Sequence, residues 1–220
     1  MENVAASDIF SYTSNERDSL IENPYLLEIM ELKDRLDDVD PAGMLRMREE
    51  LVSRYAFSIP TIDVLHCIAG YSPLVEVGAG SGYWAFCLNQ LGADIICFDR
   101  VPPENAMPWP WGSLEDENVW FHAEWYPVLQ GDEQVVRLHG DRTLFLSWPA
   151  FHTPMASRAL ENFLLCGGTN LIYIGDDLSC GDDRFHALLT QREPVVNRKL
   201  PGWPGIDDFL RIYEWNQYSP

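Results

Sequence analysis

The stretch LVEVGAGSGYW, Leu74–Trp84, decides the fold. It opens with a short apolar run, Leu74–Val77, that carries one acid, Glu76. Gly78, Gly80 and Gly82 follow at alternate positions, and GYWAFCLNQLG then keeps a helical rhythm as far as Gly92. A second apolar run, DIICF, ends at Asp99. Strand, helix and strand within these 26 residues make the repeating unit of a parallel sheet. In such sheets ligands sit beyond the carboxyl ends of the strands. Glycines at the first turn let the backbone take unusual dihedrals and let a ligand come close. The helix start adds free N–H groups.

The spacing narrows the ligand. A dinucleotide loop reads GxGxxG, which places its third glycine at position 83, where this chain has Tyr83. A ring there is expected to obstruct a pyrophosphate, and Glu76 to repel one. An acid beneath the loop suits a ligand with positive charge.

Around this unit the chain reads as α/β. Residues 1–16 are polar and aperiodic, a flexible lead. A helical segment over 17–70 precedes the sheet. Leu26, Ile29, Met30 and Leu36 share a face of a first helix. Asp40 and Pro41 read as the N-cap and first residue of a second, with Met44, Met47, Leu51 and Tyr55 on one stripe. A third short helix covers 61–69, capped by Thr61. The sheet domain spans 71–220. After Asp99, residues 100–127 are irregular and rich in proline and tryptophan. YPVLQ, TLFLSW and NLIYIG read as strands, DEQVVRLH, MASRALENFLLCGG and DDRFHALLT as helices, and PVVNRKL and FLRIYEW as a closing strand pair.

Composition excludes several functions. With 15 basic and 34 acidic residues the net charge is -19, which repels phosphate backbones and disfavours nucleic acid as a partner. The five cysteines are scattered without a CxxC pair, so they are expected to be reduced and mostly buried. The five histidines show no HxxxH or HExxH, so no protein-held metal is expected. No basic-led apolar leader opens the chain and no apolar run is long enough to span a membrane, so a soluble cytoplasmic protein is expected.

EVGAGSG resembles the ExGxGxG signature of class I S-adenosylmethionine (SAM)-dependent methyltransferases. Three further features follow in family order. Asp99, 21 residues past Gly78, stands where the family's acid holds the ribose hydroxyls. Asp132, in LQGDE, resembles the acid facing the adenine amino group, and also reads as a helix N-cap. SWPA, residues 147–150, resembles the segment that closes strand four beside the methyl group, with Ala150 where an aromatic is usual and Phe151 one place later. The resemblance covers about residues 74–215. It implies a Rossmann-like, mostly parallel seven-stranded sheet flanked by helices, with an antiparallel last strand. It implies SAM as cofactor, held by Glu76, Gly78, Ala79, Gly80, Tyr83, Asp99, Arg100, Asp132 and Ser147.

Methyl transfer from a sulfonium is an in-line displacement that mainly needs alignment and exclusion of water. A base is needed only where the acceptor must lose a proton. His152, just past the strand-four segment, is the candidate, with His122 behind it. The expected acceptor is a small molecule, with protein as an alternative. Its pocket is expected from Tyr55 and Phe57 in RYAFSIP, which resembles the front segment covering the SAM site, and from Trp109 and Trp148. Three rival readings stay open: an NAD(P)-dependent oxidoreductase, a methyltransferase fold kept as a binding or scaffold protein, and a SAM-bound enzyme of other chemistry.

Overall fold

The computed structural model describes residues 21–36, 39–103 and 120–215, with the side chains of residues 33–36 left aside. The expected lead over 1–16, and Trp109, lie outside the described residues. Local chemistry sets the first helices. Pro24–Leu36 forms α1 and Pro41–Arg54 forms α2. Asp40 caps α2 by accepting the Gly43 N–H at 2.6 Å, and Pro41 takes the first helical position, where a missing N–H costs nothing. Ile62–Ala69 forms α3. Thr61 stands at its N-cap, yet its hydroxyl donates to Asp63 rather than capping the backbone. On α1 the buried stripe is Tyr25, Leu26 and Ile29, whereas Met30 is exposed, because one more residue turns the helix about 100° away.

The sheet follows: β1 (Leu74–Val77), β2 (Ile95–Asp99), β3 (Val128–Gln130), β4 (Thr143–Ser147), β5 (Asn170–Gly175), β6 (Val196–Lys199) and β7 (Phe209–Glu214). Helix α4 (Tyr83–Gln90) joins β1 to β2, α5 (Met155–Leu165) joins β4 to β5, and α6 (Asp183–Leu189) lies between β5 and β6. DEQVVRLH yields only a short 3-10 turn, Val135–Leu138. The strand order is β3-β2-β1-β4-β5-β7-β6. Strands β1 to β5 pair parallel, and β7 runs antiparallel to both of its neighbours.

Both faces of the sheet are covered, which is why its strands read as continuous apolar runs. Leu74, Ile95, Cys97, Phe145, Ile172 and Leu210 face one cluster, shared with α1 to α4. Val75, Val77, Leu144, Leu146, Leu171 and Tyr173 face the other, with α5 and α6. The connection from β1 thus crosses one face and that from β4 the other. Between these two adjacent strands the carboxyl edge opens into the crevice where open α/β sheets hold ligands.

Candidate functional site at the carboxyl edge

The glycine loop sits in that crevice. Gly78, Gly80 and Gly82 have φ of 74°, 56° and 72°, in the left-handed region that side chains resist. The loop is tied to β2: Gly78 and Ala79 donate to the Phe98 carbonyl at 2.8 and 3.0 Å. Asp99, at the end of β2, accepts the Gly80 N–H at 2.9 Å on one carboxylate oxygen and the Val101 N–H at 3.0 Å on the other. Burial raises the Asp99 pKa above its ordinary value, against the pull of those two N–H groups and of Arg100. Arg100 itself is exposed beside it. Gly131 donates to the Asp99 carbonyl at 2.9 Å, so Asp132 follows one residue after a tie to the end of β2. Its carboxylate caps the next turn through the Gln134 N–H at 2.9 Å.

Glu76 lies in register with Cys97 and Phe145 and is 1% exposed. Among the described residues its hydrogen-bond partner is a thiol: Cys97 Sγ donates to it at 3.4 Å. Burial, and next the nearby Asp99 charge, push the Glu76 pKa up to about 8, against the thiol hydrogen bond. In this state the carboxyl is protonated at neutral pH, so the acid expected to attract a cation holds its charge in reserve.

Two residues of the expected site turn elsewhere. The Tyr83 ring is fully buried, its hydroxyl donating to Asn23 at 2.9 Å and accepting the Tyr25 N–H at 2.9 Å. It packs among Tyr25, Tyr55 and Trp125 beneath the N-terminal helices. At the first position of α4 the side chain points into the core, so it neither lines the loop nor obstructs a pyrophosphate. Tyr55 belongs to the same internal cluster, with its hydroxyl on Glu28 at 2.6 Å. Its carbonyl, which accepts from Ser81 Oγ, does brace the glycine loop.

A row of aromatic rings crosses the edge from the loop to β7. The Phe121 ring rests on Gly80, where a Cβ would come within 2.4 Å of it. Phe121 meets Phe57 edge-on at 5.7 Å, and Phe57 stacks on Trp148 at 5.0 Å and 8°. Trp148 Nε1 donates to Asp208 at 2.7 Å. Beneath the row, the Ser147 and Ser58 hydroxyls lie 3.4 Å apart. The Arg48 guanidinium lies over both stacked rings, 5.3 Å from the Trp148 centroid and 5.8 Å from that of Phe57. Contacts that stitch segment 120–126 down include His122 N–H to the Ser53 carbonyl, Trp125 N–H to the Ser81 carbonyl, Trp125 Nε1 to the Arg54 carbonyl and the Tyr126 hydroxyl to the Ile95 carbonyl.

Asp208 is 1% exposed, and burial pushes its pKa up to about 7, with Asp176 and Asp207 adding to the shift and Trp148 and Arg48 opposing it. The sequence reading missed Asp208, Arg48 and Phe121. It singled out His152, which is exposed, has φ of 55°, and lays its ring on Phe151 at 3.7 Å. Among the described residues, no contact joins the His152 ring to the row. Nor is any group of three or more His, Cys, Asp or Glu among them placed to hold a metal ion. None of the described helices is long and apolar enough to cross a membrane.

The seven-stranded sheet, its antiparallel last strand and the glycine turn after β1 are now in view. The fold is the Rossmann-like fold of the class I methyltransferases. No family model matches the chain and no curated protein matches it. Among solved structures, a putative O-methyltransferase from Klebsiella pneumoniae is similar at TM-score 0.45 and 13% identity, over 86% of this chain and 97% of that one. The 1,6-didemethyltoxoflavin-N1-methyltransferase of Burkholderia thailandensis, solved with 1,6-didemethyltoxoflavin and S-adenosylhomocysteine, is similar at 0.43 and 12%, over 94% and 93%. A protein of the NADB-Rossmann superfamily from Streptococcus agalactiae scores 0.43 at 14%, over 75% and 73%. At these scores none of the three bears on what this chain binds.

Proposed function

We propose that this protein is a SAM-dependent methyltransferase acting on a small-molecule acceptor. The observation that carries the reading is the Gly80 N–H held by the Asp99 carboxylate at the β1/β4 crevice. It places a backbone without Cβ atoms, now under the Phe121 ring, beside an acid suited to ribose hydroxyls. Gly78, Ala79 and Gly80 would hold the methionine part, Asp99 the ribose, and Asp132 the adenine side; Glu76 beneath the loop would supply negative charge on losing its proton. When bound, the cofactor supplies a methyl group on a cationic sulfur. The chain's own part is to orient the acceptor against the Phe57–Trp148 stack and to keep water out with the 120–126 segment. Residues 17–70 serve as the cap on this site; their described part, 21–36 and 39–70, shares one hydrophobic cluster with the sheet. The net charge of -19 favours small molecules over nucleic acid as acceptor.

Calorimetric titration with SAM, S-adenosylhomocysteine and NAD tests the reading. Heat from both adenosyl ligands and none from NAD is expected. Silence from both adenosyl ligands sinks it, and NAD binding alone favours an oxidoreductase, a rival that Tyr83 no longer disfavours. Asp99→Ala is expected to weaken S-adenosylhomocysteine by about 1.5–3 kcal/mol, the scale of hydrogen bonds to a charged group. A second reading, a fold kept for binding alone, draws on Phe121, whose ring lies on the glycine backbone a ligand needs.

A further inference from the structure

The far end of the aromatic row has features that cofactor binding does not use. Asp208 is 1% exposed, yet only one of its carboxylate oxygens accepts a hydrogen bond from a side chain, the Trp148 indole; the other accepts none among the described residues. No cationic group lies within ion-pair distance of it among those residues. That second oxygen is not among the fully shielded, unpartnered side-chain atoms, so an incoming donor or cation can meet it, and a carboxyl this buried gains from such a partner. At the opposite side of Trp148, the Arg48 guanidinium covers the stacked Phe57 and Trp148 rings, and its Nε is buried without a hydrogen-bond partner. Among the described residues the cation is thus held by ring faces, with no carboxylate at ion-pair distance. Trp148 keeps this arrangement at a backbone φ of 50°, a conformation that costs energy for a non-glycine residue and concentrates where geometry serves function.

We propose that Phe57, Trp148 and Asp208 form a recognition site for a protonated amine on the acceptor, in a seat that the Arg48 guanidinium holds in this structure. The ring faces attract the cation, as they attract Arg48 here. The open oxygen of Asp208 accepts an ammonium N–H at the ring edge. Entry of the amine moves Arg48 outward from α2 toward solvent, a short path for a long side chain on an exposed helix. The strongly acidic chain draws cations toward the crevice. The inference rests on the proposed function for calling the ligand an acceptor; the amine site itself stands on the contacts above.

The test is calorimetry on the full chain with three matched probes: 2-phenylethylamine, 2-phenylethanol and phenylacetate, each with and without saturating S-adenosylhomocysteine. The amine is expected to bind about tenfold more tightly than the alcohol or the carboxylate, the scale of a partly desolvated cation–ring contact. Asp208→Asn is expected to reduce that preference to about threefold or less. Arg48→Met, a change on a half-exposed helix position that keeps the fold even if Asp208→Asn does not, is expected to tighten the amine a few-fold by removing the resident cation. Equal or better binding of the alcohol or the carboxylate overturns the proposal. So does the absence of heat from the amine at millimolar concentration, or an amine affinity that Arg48→Met lowers or leaves unchanged. An amine preference without S-adenosylhomocysteine binding leaves this site standing and sinks the methyltransferase reading. Cofactor binding without an amine preference does the reverse.

Discussion

The two flanks of the crevice each bury one carboxyl, and the pair differ in what surrounds them. Glu76 sits inside β1 with a thiol 3.4 Å away, and Asp208 sits at the entry to β7 with an indole N–H at 2.7 Å. Both are 1% exposed. The Glu76 flank is pinned through backbone N–H groups: Phe98 and Asp99 hold the glycine loop through those of Gly78, Ala79 and Gly80. The Asp208 flank is built of side chains, with Trp148 between a carboxylate at its edge and a guanidinium over its face. A backbone cradle fits a ligand common to many reactions, whereas a wall of side chains sets which partner is accepted. That division suits cofactor on the first flank and acceptor on the second.

The comparison breaks most sharply at Gly80. Gly80→Arg puts a Cβ within 2.4 Å of the Phe121 ring at φ of 56°, so both the space and the backbone conformation are lost. Binding of S-adenosylhomocysteine is expected to vanish in calorimetry while far-UV circular dichroism stays near wild type. The amine preference of the Asp208 flank should survive. A variant that binds the adenosyl ligand normally places the cofactor elsewhere.

Next in size is the pH dependence of stability. Glu76 and Asp208 have folded values of about 8 and about 7, both above the usual carboxylate range, chiefly through burial. The folded chain therefore binds these protons more tightly than the unfolded chain does. The stability they contribute is full below the unfolded values, near 4, and is lost as pH rises through about 7 for Asp208 and about 8 for Glu76. Each group contributes a slope of at most about 1.4 kcal/mol per pH unit. Urea unfolding across this range should show Glu76→Gln flattening the loss up to about pH 8 and Asp208→Asn only up to about pH 7. Identical slopes in wild type and both variants would show that neither acid is held protonated.

How much of this was legible follows the same division. The strands could be read because a sheet covered on both faces makes each of them a continuous apolar run, and Asp40–Pro41 could be read because a cap is local chemistry. The glycine loop and Asp99 lie within one βαβ unit, where spacing along the chain fixes spacing in the fold. Asp208 meets Trp148 across 60 residues, and Phe121 reaches Gly80 from an irregular segment. No periodicity records either meeting. Tyr83 misled for the opposite reason: its place in the motif was plain, but the direction of its ring depends on Asn23 and Tyr25, 60 and 58 residues away.

Phe121 gives a smaller and more telling effect. If its ring must leave Gly80 before a ligand seats, the empty protein is mostly in a form that cannot bind, and affinity is lowered by that fraction. Phe121→Ala should then tighten S-adenosylhomocysteine by about threefold to tenfold. Weaker binding instead would make the ring a wall of the cofactor site rather than its occupant.

The smallest expected effect separates the two left-handed side chains of the loop after β4. Trp148 and His152 have φ of 50° and 55°, a conformation that costs an ordinary residue about 1–2 kcal/mol. His152 is exposed and is held there through its backbone, whose N–H donates to Gly181 at 2.9 Å. Glycine keeps that bond and removes the strain, at an entropic cost of about 0.5–1 kcal/mol. His152→Gly should therefore stabilise the fold by about 0.5–1 kcal/mol in urea unfolding. Trp148→Gly gains the same relief but gives up the Phe57 stack and strips Asp208 of its donor, so it should lose more than about 2 kcal/mol. A His152→Gly variant that proves less stable than wild type would mean the imidazole holds the loop after all, and would restore His152 as a residue of the site.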